Sequence, residues 1–529
     1  MRIDFIKIFI FFIVNSFFYK IYLKIPTKID FIGVENFNPL PAPKKQKRAL
    51  LSIDNNYFSK NKKKFMPLQM HSFEWLTEFK KVGGIDLLKK SRELIIDWEK
   101  CNFNLSSNYW DDLLVARRMV HLSINFDFYG SSAEIEFKKK ITNIIFFHFK
   151  HLFFLYKLQK SNYEIDIEIS KSLLIVIKIF GKKNNFNDLI NLIRKQIKYQ
   201  NNNDKFHKSI NVIDHARFIH QLLEIRNILL FNKIKIWPEL NLQIQEMVSL
   251  LNNLFHKDQS LPLFNGTNNN KSEYVKEIAK LEKDIKIKNL FKAKDGLIVV
   301  EANKAKLFFD ITKPNSKLLN QNLHSGTLSF ELSYNNEKII TNCGASDKYI
   351  GKKQVFFRYS AAHSTLTINN TNIAELSEKN GYKRIPTKIT NNSEEFDSYY
   401  IVSGTHNGYN KNYNILVKRT LRIFKNGKSI NGTDQIYSLK SINKNNSYQI
   451  RFHLMPSCDC IVTNNDQKII IKTKNGNAWN FQTFNNKLLI EESIYMGNGN
   501  HALKTKQILL TGYTTKVKNT INWELKKIN

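Results

Sequence analysis

The hydrophobic period of this chain changes once, near residue 295, and the change restricts it to a helical part followed by a sheet part. Before it, Ile141, Ile145, Phe149, Leu152 and Tyr156 recur at three- and four-residue steps, as do Phe218, Leu222, Ile225 and Leu229. Each set marks one face of an amphipathic helix. Trp75, Leu76 and Phe79, with Trp110, Leu113 and Leu114, mark two earlier helices. Successive helices without strand signals predict stacked helical hairpins over residues 60–290, as a bundle, solenoid or toroid. After the change, Leu328, Phe330, Leu332 and Tyr334 alternate, and Asn335-Asn336 turns the chain into Lys338–Thr341. Asn426-Gly427 and Asn475-Gly476 lie between strand-like runs, as hairpin turns require. Many short strands with Gly and Asn turns predict an antiparallel β-sandwich over residues 291–529.

Residues 1–59 form a third region. Arg2 and Lys7 precede an apolar run from Ile8 to Tyr19, and a Pro/Lys-rich linker follows from Pro39 to Arg48. The run has the charge and length of a secretory signal but lacks a small-x-small cleavage site. It is shorter than the ~20 apolar residues of a comfortable membrane span. An uncleaved anchor, a degenerate signal and a buried segment all stay open; the reading favours export, with peripheral membrane association through the N-terminus.

The formal net charge of +35, from 81 Lys and Arg against 46 Asp and Glu, points to an anionic partner: nucleic acid, a membrane surface or an acidic polysaccharide. The lysines are dispersed among abundant Asn and Ile, however. No recognition motif or basic groove-reading helix is present, so nucleic acid is not expected. The four cysteines form no CxxC pair and demand no oxidising compartment.

Two histidine-bearing segments carry the strongest chemical signal: His324-Ser-Gly-Thr-Leu-Ser-Phe-Glu-Leu-Ser333 and Phe357-Arg-Tyr-Ser-Ala-Ala-His363-Ser-Thr-Leu-Thr-Ile368. Each places a histidine at an expected strand start beside small and hydroxylic residues. There a neutral imidazole can bind metal, move a proton or simply satisfy a strand end. Arg358 offers a planar fork for a carboxylate, or a partner for Glu331. His406 and Tyr409 share a loop-like stretch, Thr-His-Asn-Gly-Tyr-Asn, suited to proton transfer or to an ordinary turn. His453, His148 and His151 read as structural.

In this order along the chain, several short segments resemble the heparinase II/III family of polysaccharide lyases. They include His71-Ser-Phe-Glu-Trp-Leu76, Ala116-Arg-Arg118, Arg194-Lys-Gln-Ile197 and Leu261-Pro-Leu-Phe-Asn-Gly266 in the first half. Leu328-Ser-Phe-Glu-Leu332, Asn342-Cys-Gly344, Ala362-His-Ser-Thr-Leu366, His406-Asn-Gly-Tyr409, Arg451-Phe-His-Leu-Met-Pro456 and Glu491-Glu-Ser-Ile-Tyr495 follow. The resemblance implies an incomplete α/α toroid joined to an antiparallel β-sandwich, with a substrate cleft between them. It implies β-elimination of a uronic-acid-containing acidic polysaccharide by a protein of the cell envelope or periplasm.

The resemblance also distributes roles. The family's strand-end pattern has a catalytic histidine where this chain has Asn322, and a zinc histidine at His324. The further zinc positions fall on Asn342 and His363, with Cys343 a substitute donor. The family's helical Asn-His pair is absent from Glu164–Lys171, and its acid/base tyrosine is absent after Gln196, where His207 and Lys208 stand instead. The candidates are therefore His207, His363, His406 and Tyr409 for proton transfer, Asn322 and Arg358 for substrate, and His324 and His363 for a metal such as zinc. These substitutions leave an alternative: an acidic-glycan-binding protein that does not cleave.

Overall fold

The computed structural model describes residues 12–14, 16–29, 34, 54–61, 68–101, 105, 108–158, 166–181, 183–282, 289–313, 322–346, 355–377, 381–439, 445–463, 466–484 and 486–528. The Pro39 to Arg48 segment and the start of the apolar N-terminal run lie outside them. Two compact units result, one of residues 1–199 and 220–240, the other of residues 200–219 and 241–529.

The first unit is helical. Its main helices are α1 (Phe17–Lys24), α2 (Glu74–Val82), α3 (Ile85–Cys101), α4 (Asp112–Ile124), α5 (Ile135–Leu158), α6 (Ile167–Phe180) and α7 (Lys183–Gln200). Local chemistry sets several ends. Ser16, Asp111 and Asp166 accept the N–H groups of Tyr19, Leu113 and Glu168 at 3.2, 3.1 and 2.8 Å, satisfying donors that a first turn leaves open. Gly83, at φ 75°, closes α2. The predicted faces are buried, with Ile141, Ile145 and Leu152 on α5 inaccessible to solvent.

Arg118 sits fully buried between indoles, its guanidinium 4.1 Å from the Trp98 ring centroid and 5.0 Å from that of Trp110. It donates to His148 Nε2 at 2.7 Å and to the His71 carbonyl at 2.8 Å. His151 Nδ1 meets the Tyr19 hydroxyl at 2.8 Å, so both helical histidines are core groups. No described helix is long and apolar enough to cross a membrane.

Helices α8 (Val212–Phe231), α9 (Pro238–Asn253) and α10 (Ser272–Ala279) precede the sheets. In chain order the strands begin β1 (Leu290–Phe291), β2 (Leu297–Ala302), β3 (Ala305–Asp310), β4 (Phe330–Tyr334), β5 (Glu337–Thr341) and β6 (Leu366–Ile368). Next come β7 (Glu375–Leu376), β8 (Tyr382–Arg384), β9 (Ile389–Glu395), β10 (Tyr399–His406), β11 (Ile415–Phe424) and β12 (Ser429–Ser438). The last are β13 (Ser447–Leu454), β14 (Asp459–Thr463), β15 (Lys468–Lys472), β16 (Ala478–Thr483), β17 (Leu488–Tyr495), β18 (Leu503–Tyr513) and β19 (Lys518–Lys527). One antiparallel sheet runs β1-β2-β3-β4-β5-β13-β18-β17, with β6 on β13; a second runs β14-β15-β16-β19-β12-β11-β10-β9; β7 and β8 form a separate ribbon.

The expected hairpins are present at Asn335, Gly427 and Gly476, all at positive φ. One expectation needs correction. Leu328 stands outside β4 in a left-handed conformation, and β4 and β5 are buried on both faces. Alternation there does not mark a solvent side. The two sheets share one core, where Phe330 stacks on Trp523 with centroids 5.7 Å apart and Phe452 lies 4.9 Å from the same indole. A Cβ at Gly432 would fall 2.0 Å from Trp523 Cε2, so the neighbouring strand must carry glycine for the indole to lie flat. Arg419 and Asp434 pair beneath it at 2.7 and 3.1 Å, and Trp523 Nε1 donates to the same carboxylate at 3.0 Å. The strands thereby fix a platform for the irregular segments between them.

Candidate active site

His324 and His363 start no strand. β4 opens only at Phe330 and β6 at Leu366, and the histidines lie in irregular segments ahead of them. Three residues fix those segments. A Cβ at Gly326 would lie 2.5 Å from His363 Cδ2, so glycine permits the close approach. Arg419 Nη1 donates to the Leu328 carbonyl at 3.0 Å and the Ser364 carbonyl at 2.7 Å, tying both segments to the second sheet. Arg358 brackets His324: its Nε donates to the Leu323 carbonyl at 2.9 Å, and its own carbonyl accepts the Ser325 N–H at 2.8 Å. Its remaining hydrogen bonds go to the Ser377 and Gly381 carbonyls. The fork read as a carboxylate clamp is committed to main-chain acceptors, and Glu331 pairs elsewhere.

The two imidazoles meet directly. His324 Nδ1 is 3.1 Å from His363 Nε2, with the rings at 81°, and His363 Nδ1 is 2.8 Å from the Tyr359 carbonyl. A carbonyl can only accept, so His363 carries its proton on Nδ1 and offers a lone pair at Nε2. His324 must then donate from Nδ1, which leaves a lone pair on its own Nε2. The one side-chain hydrogen bond of His324 among the described residues is made through Nδ1, and the residue keeps 6% of its surface exposed. Burial, with Arg358 and the neighbouring ring adding to it, holds His324 well below the ordinary imidazole range; burial pushes His363 down to about 4. Both are neutral at ordinary pH.

Two amides border the pair. Asn265 Oδ1 accepts the His324 N–H at 3.1 Å, and Asn342 Oδ1 accepts the Ser364 N–H at 2.9 Å. Only oxygen can accept, so the two Nδ2 atoms are placed unambiguously. Both are buried without a hydrogen-bond partner among the described residues. An unmet buried N–H costs about 1–3 kcal/mol, so two beside one histidine pair mark a place prepared for an acceptor. Asn265 itself adopts φ 47°, followed by Gly266 at 83°; the Asn-Gly dipeptide was the available sequence signal.

Beneath these amides lies a carboxylate that the sequence offered only as a partner for Arg358. Glu331, fully buried, accepts from His256 Nε2 at 2.9 Å, Lys338 Nζ at 3.1 Å, Leu263 N at 3.1 Å, Thr341 Oγ1 at 3.1 Å and Asn342 N at 2.8 Å. Burial alone would raise its pKa, but the Lys338 charge and the His256 bond outweigh burial and hold it at about 2. One anion thereby joins the loop leading to Asn265 with the end of β5.

The other sequence candidates separate. His207 lies buried with Nδ1 on Ser209 Oγ at 2.8 Å, burial taking it to about 4. Ser209 Oγ accepts Asn211 N at 3.3 Å, and Asn211 Nδ2 donates to the Asn265 carbonyl at 3.0 Å, so His207 reaches the pair through intervening residues. Asn322 is exposed beside Gly266. His406 is buried at the end of β10, its Nδ1 accepting Gly408 N at 3.1 Å. Tyr409 is sealed in the sandwich core, its hydroxyl 3.2 Å from the Thr371 carbonyl and its pKa raised by burial. Neither joins the pair by a hydrogen bond.

A zinc ion held as the resemblance implies needs three protein donors of the His, thiolate or carboxylate type. His324 and His363 supply two nitrogens. The third position is the amide Asn342, whose oxygen already accepts Ser364 N. Cys343 turns its Sγ to His453 Nδ1 at 3.6 Å and Ser493 Oγ at 3.9 Å, and burial pushes the thiol up to about 12. Among the described residues no three His, Cys, Asp or Glu side chains gather for a metal. The donors present do not complete that zinc site.

Residues 290–524 match the family model described as Heparinase II/III-like, C-terminal. Heparinase III is 15% identical, with 96% of this chain and 89% of that one covered at a TM-score of 0.71. A heparan sulfate lyase HepC mutant from Pedobacter heparinus is also 15% identical, covering 96% and 87% at 0.65. Chondroitin AC lyase from Streptomyces coelicolor A3, solved with chondroitin sulphate, is 7% identical, covering 93% and 80% at 0.51. No curated protein matches. A helical region followed by antiparallel sheets is thus the lyase-like fold of these structures.

Proposed function

We propose that this chain, whose residues 290–524 match the Heparinase II/III-like C-terminal family model, eliminates across a glycosidic bond of an acidic, uronate-containing polysaccharide, with His324 as the base. The observation that carries this reading is the directed chain from His324 Nδ1 through His363 to the Tyr359 carbonyl. It leaves His324 Nε2 with a lone pair and orients the ring that bears it.

The proton α to a uronate carboxylate is weakly acidic, so charge must be stabilised as it develops on the carboxylate. The Nδ2 groups of Asn265 and Asn342 are the donors for that task. His324 Nε2 takes the C5 proton, and the C5–H electrons form the C4–C5 double bond as the C4–O bond breaks. The departing oxygen keeps that electron pair and takes the proton back from Nε2. The hydrogen bond to His363 shares the imidazolium's charge while it exists, and return of the proton restores the neutral ring that burial favours. No step uses a metal, and chelation is expected to leave the rate unaltered.

A second reading, binding without cleavage, is supported by two observations. Tyr409 lies sealed in the core, and the stretch from Asn201 to Val212, where the resemblance places an acid/base tyrosine, contains none. The cell envelope or periplasm is the proposed location for either reading.

The test is ultraviolet absorbance of unsaturated uronate from a panel of acidic glycans, heparan sulfate and chondroitin sulfate included. Cleavage by the native chain and a drop of about 10²- to 10⁴-fold in His324→Ala are expected. Glycan binding without any absorbance rise would establish the second reading instead.

A further inference from the structure

A groove of about 760 Å³ opens in the second unit beside the histidine pair. Its lining includes Tyr359, Asn372, Glu375, Lys383, Arg384 and Asn412. It shares its floor with the network under the pair. Tyr359 gives its carbonyl to His363, and Ala374, also in the wall, donates its N–H to Ser325 Oγ at 2.7 Å. Ser325 Oγ in turn meets Ser360 Oγ at 2.9 Å, and Ser360 N donates to Asn372 Oδ1 at 2.8 Å.

The β7–β8 ribbon, in which Glu375 faces Arg384, forms another wall of the groove. Arg358 holds both sides of the ribbon's turn through the Ser377 and Gly381 carbonyls while also bonding Leu323. One buried guanidinium therefore sets the distance between this wall and His324.

The lining has the chemistry of an acidic saccharide site. Lys383 is exposed and has no hydrogen-bond or ion-pair partner among the described residues. Arg384 donates Nη1 to the Gly408 carbonyl at 2.8 Å, which fixes the fork and leaves its other N–H groups for a ligand. Two cations outnumber the single carboxylate, Glu375. The Asn372 oxygen is occupied by Ser360 N, so its Nδ2 remains a donor, and Asn412 is an exposed amide. The Tyr359 ring adds an aromatic face for a sugar. The volume lies within the ~300–1,000 Å³ of ordinary ligand clefts. It suits a short stretch of chain better than a single ion.

We propose that this groove is a second subsite, binding a sulfated or carboxylated saccharide segment of the polysaccharide on which His324 acts. The inference rests on the acidic-glycan reading above and adds the residues that would select and hold the polymer beyond the bond being broken. Arg358 is then a positioning residue that couples groove to pair.

The experiment is a titration of labelled heparan sulfate oligosaccharides into the full-length protein at ~0.1 M salt, where exposed charges act over about 10 Å. Lys383→Glu/Arg384→Glu is compared with Lys504→Glu/Lys516→Glu, which makes the same change in net charge on exposed lysines of β18 and the β18–β19 turn. Weakening by about tenfold or more in the first variant only is expected. Equal weakening in both variants, or none in the first, overturns the groove while leaving the acidic-glycan reading intact. A native chain that binds no acidic glycan overturns both. Circular dichroism identifies any loss due to misfolding, and Lys383→Arg/Arg384→Lys, which keeps the charges, should retain binding close to the native level.

Discussion

Replacing Glu331 by glutamine tests whether one buried anion holds the site's loops in place. The side chain has no exposed surface and accepts five hydrogen bonds. Its pKa falls from 4.5 to about 2; at ~1.36 kcal/mol per pH unit this corresponds to about 3 kcal/mol of stability at neutral pH. The sign follows from the depressed value: the stabilisation is complete above the unfolded pKa of 4.5 and is lost as pH falls through about 2. Glutamine removes that contribution and leaves Lys338, whose side chain is also wholly buried, without its counter-charge. Stranding one member of such a pair costs about 3–5 kcal/mol, so the two routes agree. It also turns an NH₂ towards groups that donate. In urea unfolding followed by circular dichroism, Glu331→Gln should therefore be less stable by about 3–5 kcal/mol. The gap should stay constant from ~pH 8 to ~pH 5, because Glu331 is ionised in both states across that range. Glu331→Leu/Lys338→Met, which removes both charges, should recover much of the loss. A single variant within about 0.5 kcal/mol of the native chain, or a gap that closes above ~pH 5, would refute the reasoning.

Other expected outcomes follow from the same geometry. Asn265→Ala should lower kcat by about 10²- to 10³-fold, as loss of one preorganised donor does; unchanged kcat in the ultraviolet assay would remove Asn265 from the reaction. His363→Ala should lower kcat because His324 loses the acceptor that orients it, and an unaltered rate would show that His324 acts alone. Acid should destabilise the second unit: His207, His256 and His363 at about 4, and His215, His406 and His453 at about 3, are neutral when folded but take protons near 6.5 when unfolded. Stability then falls as pH drops from 6.5 towards 4, and equal urea midpoints at ~pH 7 and ~pH 5 would contradict this assignment.

What the sequence determined by itself was whatever depends on neighbours along the chain. The three- and four-residue spacing of Ile141 to Tyr156 required a buried helical face, and Asn426-Gly427 required a tight turn, because helix periodicity and positive φ are local properties. That His324 and His363 share a site was implied by the family resemblance alone, since their settings along the chain left metal binding, proton transfer and a strand-end hydrogen bond equally open. Tertiary structure decided the rest. Arg358 had the form of a carboxylate clamp, but which carbonyls surround a guanidinium depends on loops that meet only in the folded chain. Tyr409 looked like a loop phenol until the sandwich closed over it. Glu331 and Lys338 sit on one hairpin, but His256 comes from 75 residues away, and no short window shows the three buried groups converging. The tautomers of the histidine pair, and with them the free lone pair on His324, were fixed by the Tyr359 carbonyl. Hydrogen-bond direction and burial belong to the assembled fold, and chemistry at a buried site is set by both.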